Sequence, residues 1–140
     1  MLFTVKSQGG SRMVQSNEGR RIGPFTARSK VWVVNADDQV VLGPGRYRML
    51  EAIQRLGSLQ AAARELKMGY KALWARITAT ERRLGTVLLH KDRTGSRLTP
   101  EAEDLMRRYQ RLNRLVSTEC DEVFDIVIRS QLRGEPDEEV

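Results

Sequence analysis

Three glycine-marked breaks constrain this chain more than any other feature of its sequence. Gly57, Gly69 and Gly85 divide residues 45–85 into stretches whose apolar side chains recur at helical spacing. In the first stretch, 45–56, Met49, Leu50, Ile53 and Leu56 share a face, and Gly57 is placed to close the helix. Ser58 is placed to cap a short second helix that turns Ala62, Ala63 and Leu66 inward and runs to about Lys67. A tight connection, Lys67-Met68-Gly69, leads to a third helix over 70–84 with Leu73, Ile77 and Leu84 on one stripe. Leu88-Leu89-His90 and Arg97-Leu98 then flank a polar tip and read as a two-stranded ribbon. Helix, tight turn, helix, ribbon is the order of a winged helix-turn-helix.

The flanks extend that unit on both sides. Val31-Trp32-Val33-Val34 and Val40-Val41-Leu42 are rich in β-branched residues, and Asn35-Ala36-Asp37-Asp38 between them supplies turn chemistry, so a short hairpin is expected before the first helix. Thr99-Pro100-Glu101 is a helix start with a hydroxyl cap, a proline at the first position and acids against the dipole. The fourth helix is expected to run some 33 residues to Gly134. The expected fold class is mainly α with small β: a winged helix-turn-helix over 30–99, preceded by the hairpin and followed by a long helix over 100–133. Residues 1–29 contain Gly9-Gly10, Gly23-Pro24 and little apolar periodicity, and are expected to form a basic, disordered arm. Residues 134–140 make an acidic tail.

Charge distribution decides which functions are worth considering. The chain has 140 residues and a net charge of +6. Residues 58–98 carry nine basic side chains (Arg64, Lys67, Lys71, Arg76, Arg82, Arg83, Lys91, Arg93, Arg97) against Glu65, Glu81 and Asp92. A bare charge run is usually a solvated face. Here it coincides with the half of a winged helix-turn-helix that reads DNA, which makes it an electrostatic footprint for phosphates. One cysteine and one histidine exclude a disulfide framework and a Cys₄ or Cys₂His₂ metal site within one chain. No nucleotide loop, HExxH, CxxC or Ser-His-Asp set is present, so an enzyme is not expected, and neither is a cofactor. With no run of 18 apolar residues and no signal-peptide core, the expectation is a cytoplasmic protein with no membrane association.

Gly57-Ser58, Ala62-Ala63, Leu66, Met68, Tyr70-Lys71, Trp74, Gly85, Leu88-Leu89 and Leu98-Thr99-Pro100-Glu101 resemble the N-terminal DNA-binding domain of ModE-type molybdate-responsive regulators. The Gly-Ser, Ala-Ala and Leu-Thr-Pro segments are shared with the wider LysR-type winged helices, and Tyr-Lys-x-x-Trp favours the ModE type. The resemblance covers about residues 30–115. It departs at Gly69, where the pattern has Ser, at Thr80, where LysR-type helices carry Leu, and in a short wing without a glycine-rich insertion. It implies DNA binding and transcriptional regulation. The molybdate-binding domains do not follow, so no small-molecule effector is expected to bind this chain.

In such a domain the third helix presents its N-terminal turns to base edges. Tyr70, Lys71, Ala75 and Thr78 fall off the apolar stripe, with Arg76 near the edge of their face. Lys71 and Arg76 are candidates for guanine or phosphate. Arg93 and Arg97 in the wing, Lys67 before the third helix and Ser58 at the second helix's N-terminus complete the expected DNA-binding set, while Trp74 is expected at the core boundary. On the fourth helix Leu105, Tyr109, Leu112, Val116, Cys120, Val123 and Val127 step through 22 residues in six turns, 3.67 per turn. That spacing suits straight packing more than a left-handed zipper. Leu105, Tyr109, Leu112, Val116, Val123 and Val127 are the expected dimerisation stripe of a homodimer on double-stranded DNA. Folding back onto the hairpin and first helix is the competing use. Two other functions compete: a module that docks another regulator through the long helix, and a nonspecific nucleoid-type DNA binder that leans on the basic arm.

Overall fold

A computed structural model describes residues 2–9 and 25–128. They fall into two units, one comprising residues 31–112 and the other residues 3–30 with the helix from 113 onward. The element order is β1 (Leu2–Gly9), β2 (Phe25–Val34), β3 (Val40–Leu42), α1 (Pro44–Leu56), α2 (Leu59–Glu65), α3 (Tyr70–Leu84), β4 (Leu89–Asp92), β5 (Gly95–Leu98) and α4 (Pro100–Val127). This is a winged helix-turn-helix preceded in the chain by three strands and followed by a long helix.

In the larger unit the boundaries follow the local chemistry. Asn35 turns the hairpin: its Oδ1 accepts the N–H groups of Asp37 at 3.0 Å and Gln39 at 2.9 Å. Beyond the turn β2 and β3 pair antiparallel, with a register shift between Val33 and Val34. Pro44 opens α1, and Gly57 closes it in a left-handed conformation, its N–H reaching Ile53 O at 2.8 Å. Ser58 caps α2 through Ala61 N–H, and Gly85 closes α3 as Gly57 closes α1. Thr99 holds two elements together. Its hydroxyl oxygen accepts Ala102 N–H at the start of α4 and donates to Val87 O before the ribbon.

The core gathers Leu42, Leu50, Ile53, Leu73, Ile77, Leu88, Ala102 and Tyr109. Each fully buried Leu or Ile contributes about 1.5–3 kcal/mol. Tyr109 is 3% exposed, stacks obliquely on Tyr47 with ring centroids 5.6 Å apart, and donates its hydroxyl to Val31 O at 2.8 Å.

One expectation changes at the start of the chain. Strand structure begins at Leu2 and again at Phe25, not near Lys30, because β1 and β2 are completed by pairing in a sheet of order β1-β2-β3 that no local pattern announces. Residues 10–24 of the expected arm lie outside the described residues, as do the acidic tail and the last part of the fourth helix beyond Ile128. In the smaller unit Ala27 of β2 packs with Cys120 and Phe124 of α4, with Ile128 against them. Burial and the neighbouring Asp121 raise the Cys120 thiol above its usual pKa, which leaves it a packing residue and a poor nucleophile.

Candidate nucleic-acid interface

α3 is amphipathic in a way that fixes what it can offer to a partner. Leu73, Ile77 and Thr80 are buried, and the opposite face carries Lys71, Ala75, Thr78 and Arg82 at spacings of four, three and four. Lys71, Ala75 and Arg82 are exposed and Thr78 is half-buried, its hydroxyl donating to Trp74 O at 2.8 Å. Sequence reasoning passed over Arg82 as a candidate, although its distance of 11 residues from Lys71 already put it on that line. Arg76 is exposed but sits on a flank, sharing its side of the helix with Arg83. Gly69 supplies no side-chain cap to the first amides of α3. Lys67, exposed and in a left-handed conformation at φ 54°, makes the turn from α2. Ser58 is half-buried and occupied in capping.

The ribbon stands beside one flank of α3. Its register pairs Leu89 with Leu98, His90 with Arg97, Lys91 with Ser96 and Asp92 with Gly95. Arg93 and Thr94 form the tip. Asp92 organises it by accepting the Thr94 N–H at 2.8 Å and the Thr94 hydroxyl, and by pairing with Arg97 at 3.0 Å. These hydrogen bonds, those from Thr94 first, hold the Asp92 carboxyl down at about 2. Arg97 therefore has an acidic neighbour, whereas Arg93 is exposed with no ion pair among the described residues.

Trp74 departs from its expected place at the core boundary: it is 39% exposed, next to an equally open Tyr70. Lys91 lies over the Trp74 ring, its ammonium 4.4 Å from the centroid, and donates to the Tyr70 hydroxyl. An exposed contact of this kind contributes about 0.5–1 kcal/mol and fixes the wing against the helix. Periodicity gave no warning of this, since it distinguishes inward from outward but not one outward neighbour from another.

The wing is also joined to the end of α1. Ser96 N–H donates to Gly57 O at 3.0 Å, and a Cβ on Gly95 would stand 2.3 Å from that oxygen. Gly95 has φ 138°, a conformation that side chains rarely adopt. Its partners are 38 residues apart in sequence, so only the fold brings them together.

The expected dimerisation stripe divides. Tyr109 is buried in its own domain, which leaves it no surface to offer a second subunit, and Leu105 packs half-buried against the same core. The aromatic stack with Tyr47 and the hydrogen bond to Val31 O explain why: a tyrosine can satisfy both its ring and its hydroxyl there. Leu112 and Val116 are half-buried, and Val123 and Val127 are exposed. Leu115 at 56% and Ile126 at 81% exposure add apolar surface outside the expected stripe. Among the described residues no cluster of His, Cys, Asp and Glu is placed to hold a metal, and no helix is long and apolar enough to cross a membrane.

The chain is similar to known proteins over part of its length. The family model for bacterial regulatory helix-turn-helix proteins of the lysR family matches residues 45–103. The transcriptional regulator ModE of Haemophilus influenzae is 31% identical over 86 residues, covering 58% of this chain and 34% of that protein. The molybdenum-pterin-binding protein MopB of Rhodobacter capsulatus is 37% identical over 73 residues, covering 49% of this chain and 27% of that protein. Among solved structures, the DNA-binding domain of CbnR in complex with DNA aligns with 56% of this chain and 90% of its own at 24% identity and a TM-score of 0.48. The chain spans about a third of the length of the curated relatives it matches.

Proposed function

From a chain whose residues 45–103 form a lysR-type helix-turn-helix domain, we propose a sequence-specific regulator of transcription that binds double-stranded DNA as a cytoplasmic homodimer. The observation that carries this reading is the outer face of α3. Lys71, Ala75, Thr78 and Arg82 stand opposite a buried Leu73–Ile77 stripe, with the wing pinned alongside by Lys91. A helix of this width fits the major groove, where Lys71 can take guanine O6 and N7, while Ala75 and Thr78 offer a methyl contact and a hydroxyl. Tyr70, Arg93 and Arg97 lie at the margins, suited to phosphates, with Lys67 at the turn before the helix. The exposed part of α4, from Leu112 onward with Leu115, Val123, Ile126 and Val127, is the surface we assign to pairing.

The resemblance to ModE-type regulators, one of which shares 31% identity over this region, supports the regulatory role. A gel shift against genomic fragments, with and without random competitor DNA, tests it. Retarded fragments that survive competitor are the expected result. Retardation that competitor abolishes would indicate a nonspecific DNA binder. The exposed apolar residues of α4 also favour a second reading, docking of another regulator, which absence of binding at 50 mM salt would support.

A further inference from the structure

Two half-buried guanidiniums of the larger unit lack what such groups ordinarily have. Arg46 uses Nε to reach the buried Thr80 hydroxyl at 3.0 Å, and Arg83 uses Nη1 to reach Val40 O at 2.7 Å. Both acceptors are neutral, and neither arginine has an acidic partner among the described residues. A guanidinium has five donors, so most of theirs are unused. Charges taken out of water are usually paired. Here more positive charge is added: Arg46 is held below its ordinary pKa by burial first and then by Arg83 and Arg76.

The cluster borders a cleft. Asn35 and Gln39 from the β2–β3 turn face Ala79, Arg82 and Arg83 of α3 across it. Arg82 is exposed and makes no hydrogen bond or ion pair among the described residues, and the Gln39 amide nitrogen donates to nothing there. Asp37 and Asp38 sit in the same turn but do not line the cleft. Arg82 also belongs to the outward line of Lys71, so the cleft opens beside the face of α3 assigned to DNA. α3 thus lies between two ribbons, the wing near Tyr70 and Trp74 and the hairpin near Ala79 and Arg83.

We propose that the β2–β3 hairpin is a second wing, and that the cleft of Asn35, Gln39, Arg82 and Arg83, backed by Arg46, takes a backbone phosphate of the bound duplex. The proposal rests on the DNA-binding reading above and adds a contact to it. Arg82 and the Gln39 amide supply unengaged donors to the phosphate oxygens, and Arg83, already fixed by Val40 O, supplies preorganised charge. A phosphate there fixes the far end of α3 as the wing fixes the near end.

The test is the salt dependence of binding to a random 30-base-pair duplex, using the full chain and its Arg82→Gln, Arg83→Lys and Lys71→Ala variants. Each phosphate contact contributes about 0.9 to the slope of log affinity against log salt. Arg82→Gln is expected to reduce the slope by about 0.9 for each subunit bound, at an unchanged melting temperature because the exposed side chain makes no hydrogen bond or ion pair among the described residues. Arg83→Lys, which keeps the charge, is expected to keep the slope. If Arg82→Gln leaves the slope intact while Lys71→Ala weakens binding, the second wing is overturned and the DNA-binding reading stands. If the unmodified chain binds no duplex, both fall. A saturable rise in melting temperature with inorganic phosphate, lost in Arg82→Gln while the slope is unaffected, would make the cleft a free-anion site and overturn its assignment to DNA.

Discussion

Lys71 and Arg93 separate two kinds of contact that a static surface shows as the same charge. Lys71 stands at the N-terminal end of the outward face of α3, and its replacement by alanine is expected to cost about 1–3 kcal/mol of discrimination between a selected site and random DNA. Arg93 stands at the wing tip, and Arg93→Ala should weaken every sequence alike. Competition binding with both DNAs measures the difference, and an equal loss on both for Lys71→Ala would make it a phosphate contact. A second residue-scale expectation concerns Gly95, pressed against Gly57 O. Gly95→Ala combines an unfavourable backbone conformation, about 1–3 kcal/mol, with displacement of the Ser96 hydrogen bond, about 1 kcal/mol. A fall in melting temperature on the order of 10 °C should follow. An unchanged melting curve would mean that the wing attaches to the domain elsewhere.

Among the elements, α4 packs into the core by one part and carries the surface proposed for pairing on the other, and a cut within it separates the two. The larger unit ends at Leu112, so truncation after Asn113 retains Tyr109 and its core contacts. The truncated chain is expected to fold, to be monomeric by light scattering and to bind a half-site weakly. Its affinity for a two-site palindrome should collapse, because the second contact is no longer tethered. Truncation five residues earlier, after Arg108, removes the Tyr109 ring and should instead cost on the order of 3–5 kcal/mol of stability. A truncated chain that remains dimeric would move the interface to the hairpin and α1. The elements themselves were readable from the sequence wherever a local device marks them: the glycines ending α1 and α3, the hydroxyls of Ser58 and Thr99, the proline at position 100. What was not readable depends on residues distant in the chain. The pairing of β1 with β2, the burial of Tyr109 against β2 and the contact of Lys91 with Trp74 leave no periodic trace. The same limit hid half of the candidate site. Lys71, Ala75 and Thr78 follow from helical spacing alone, whereas Arg46 joins Arg83 only because Thr80 is buried between α1 and α3.

For the whole molecule the governing quantity is charge. About six phosphate contacts for a dimer imply a slope near −5 when log affinity is plotted against log salt, so binding that is strong at 50 mM should be greatly weakened at 200 mM. A flat response would favour a protein partner over DNA. The chain also contains two tryptophans in very different circumstances. Trp32 is packed so closely over Gly43 that a Cβ there would lie 2.5 Å from its ring, whereas Trp74 is open and has an ammonium 4.4 Å above it. Trp74 is therefore a reporter placed at the surface assigned to DNA. A duplex that covers Trp74 or draws the Lys91 charge toward its own phosphates must alter the brightness of that reporter and its access to acrylamide. The protein carries its own optical probe of occupancy, readable without any label.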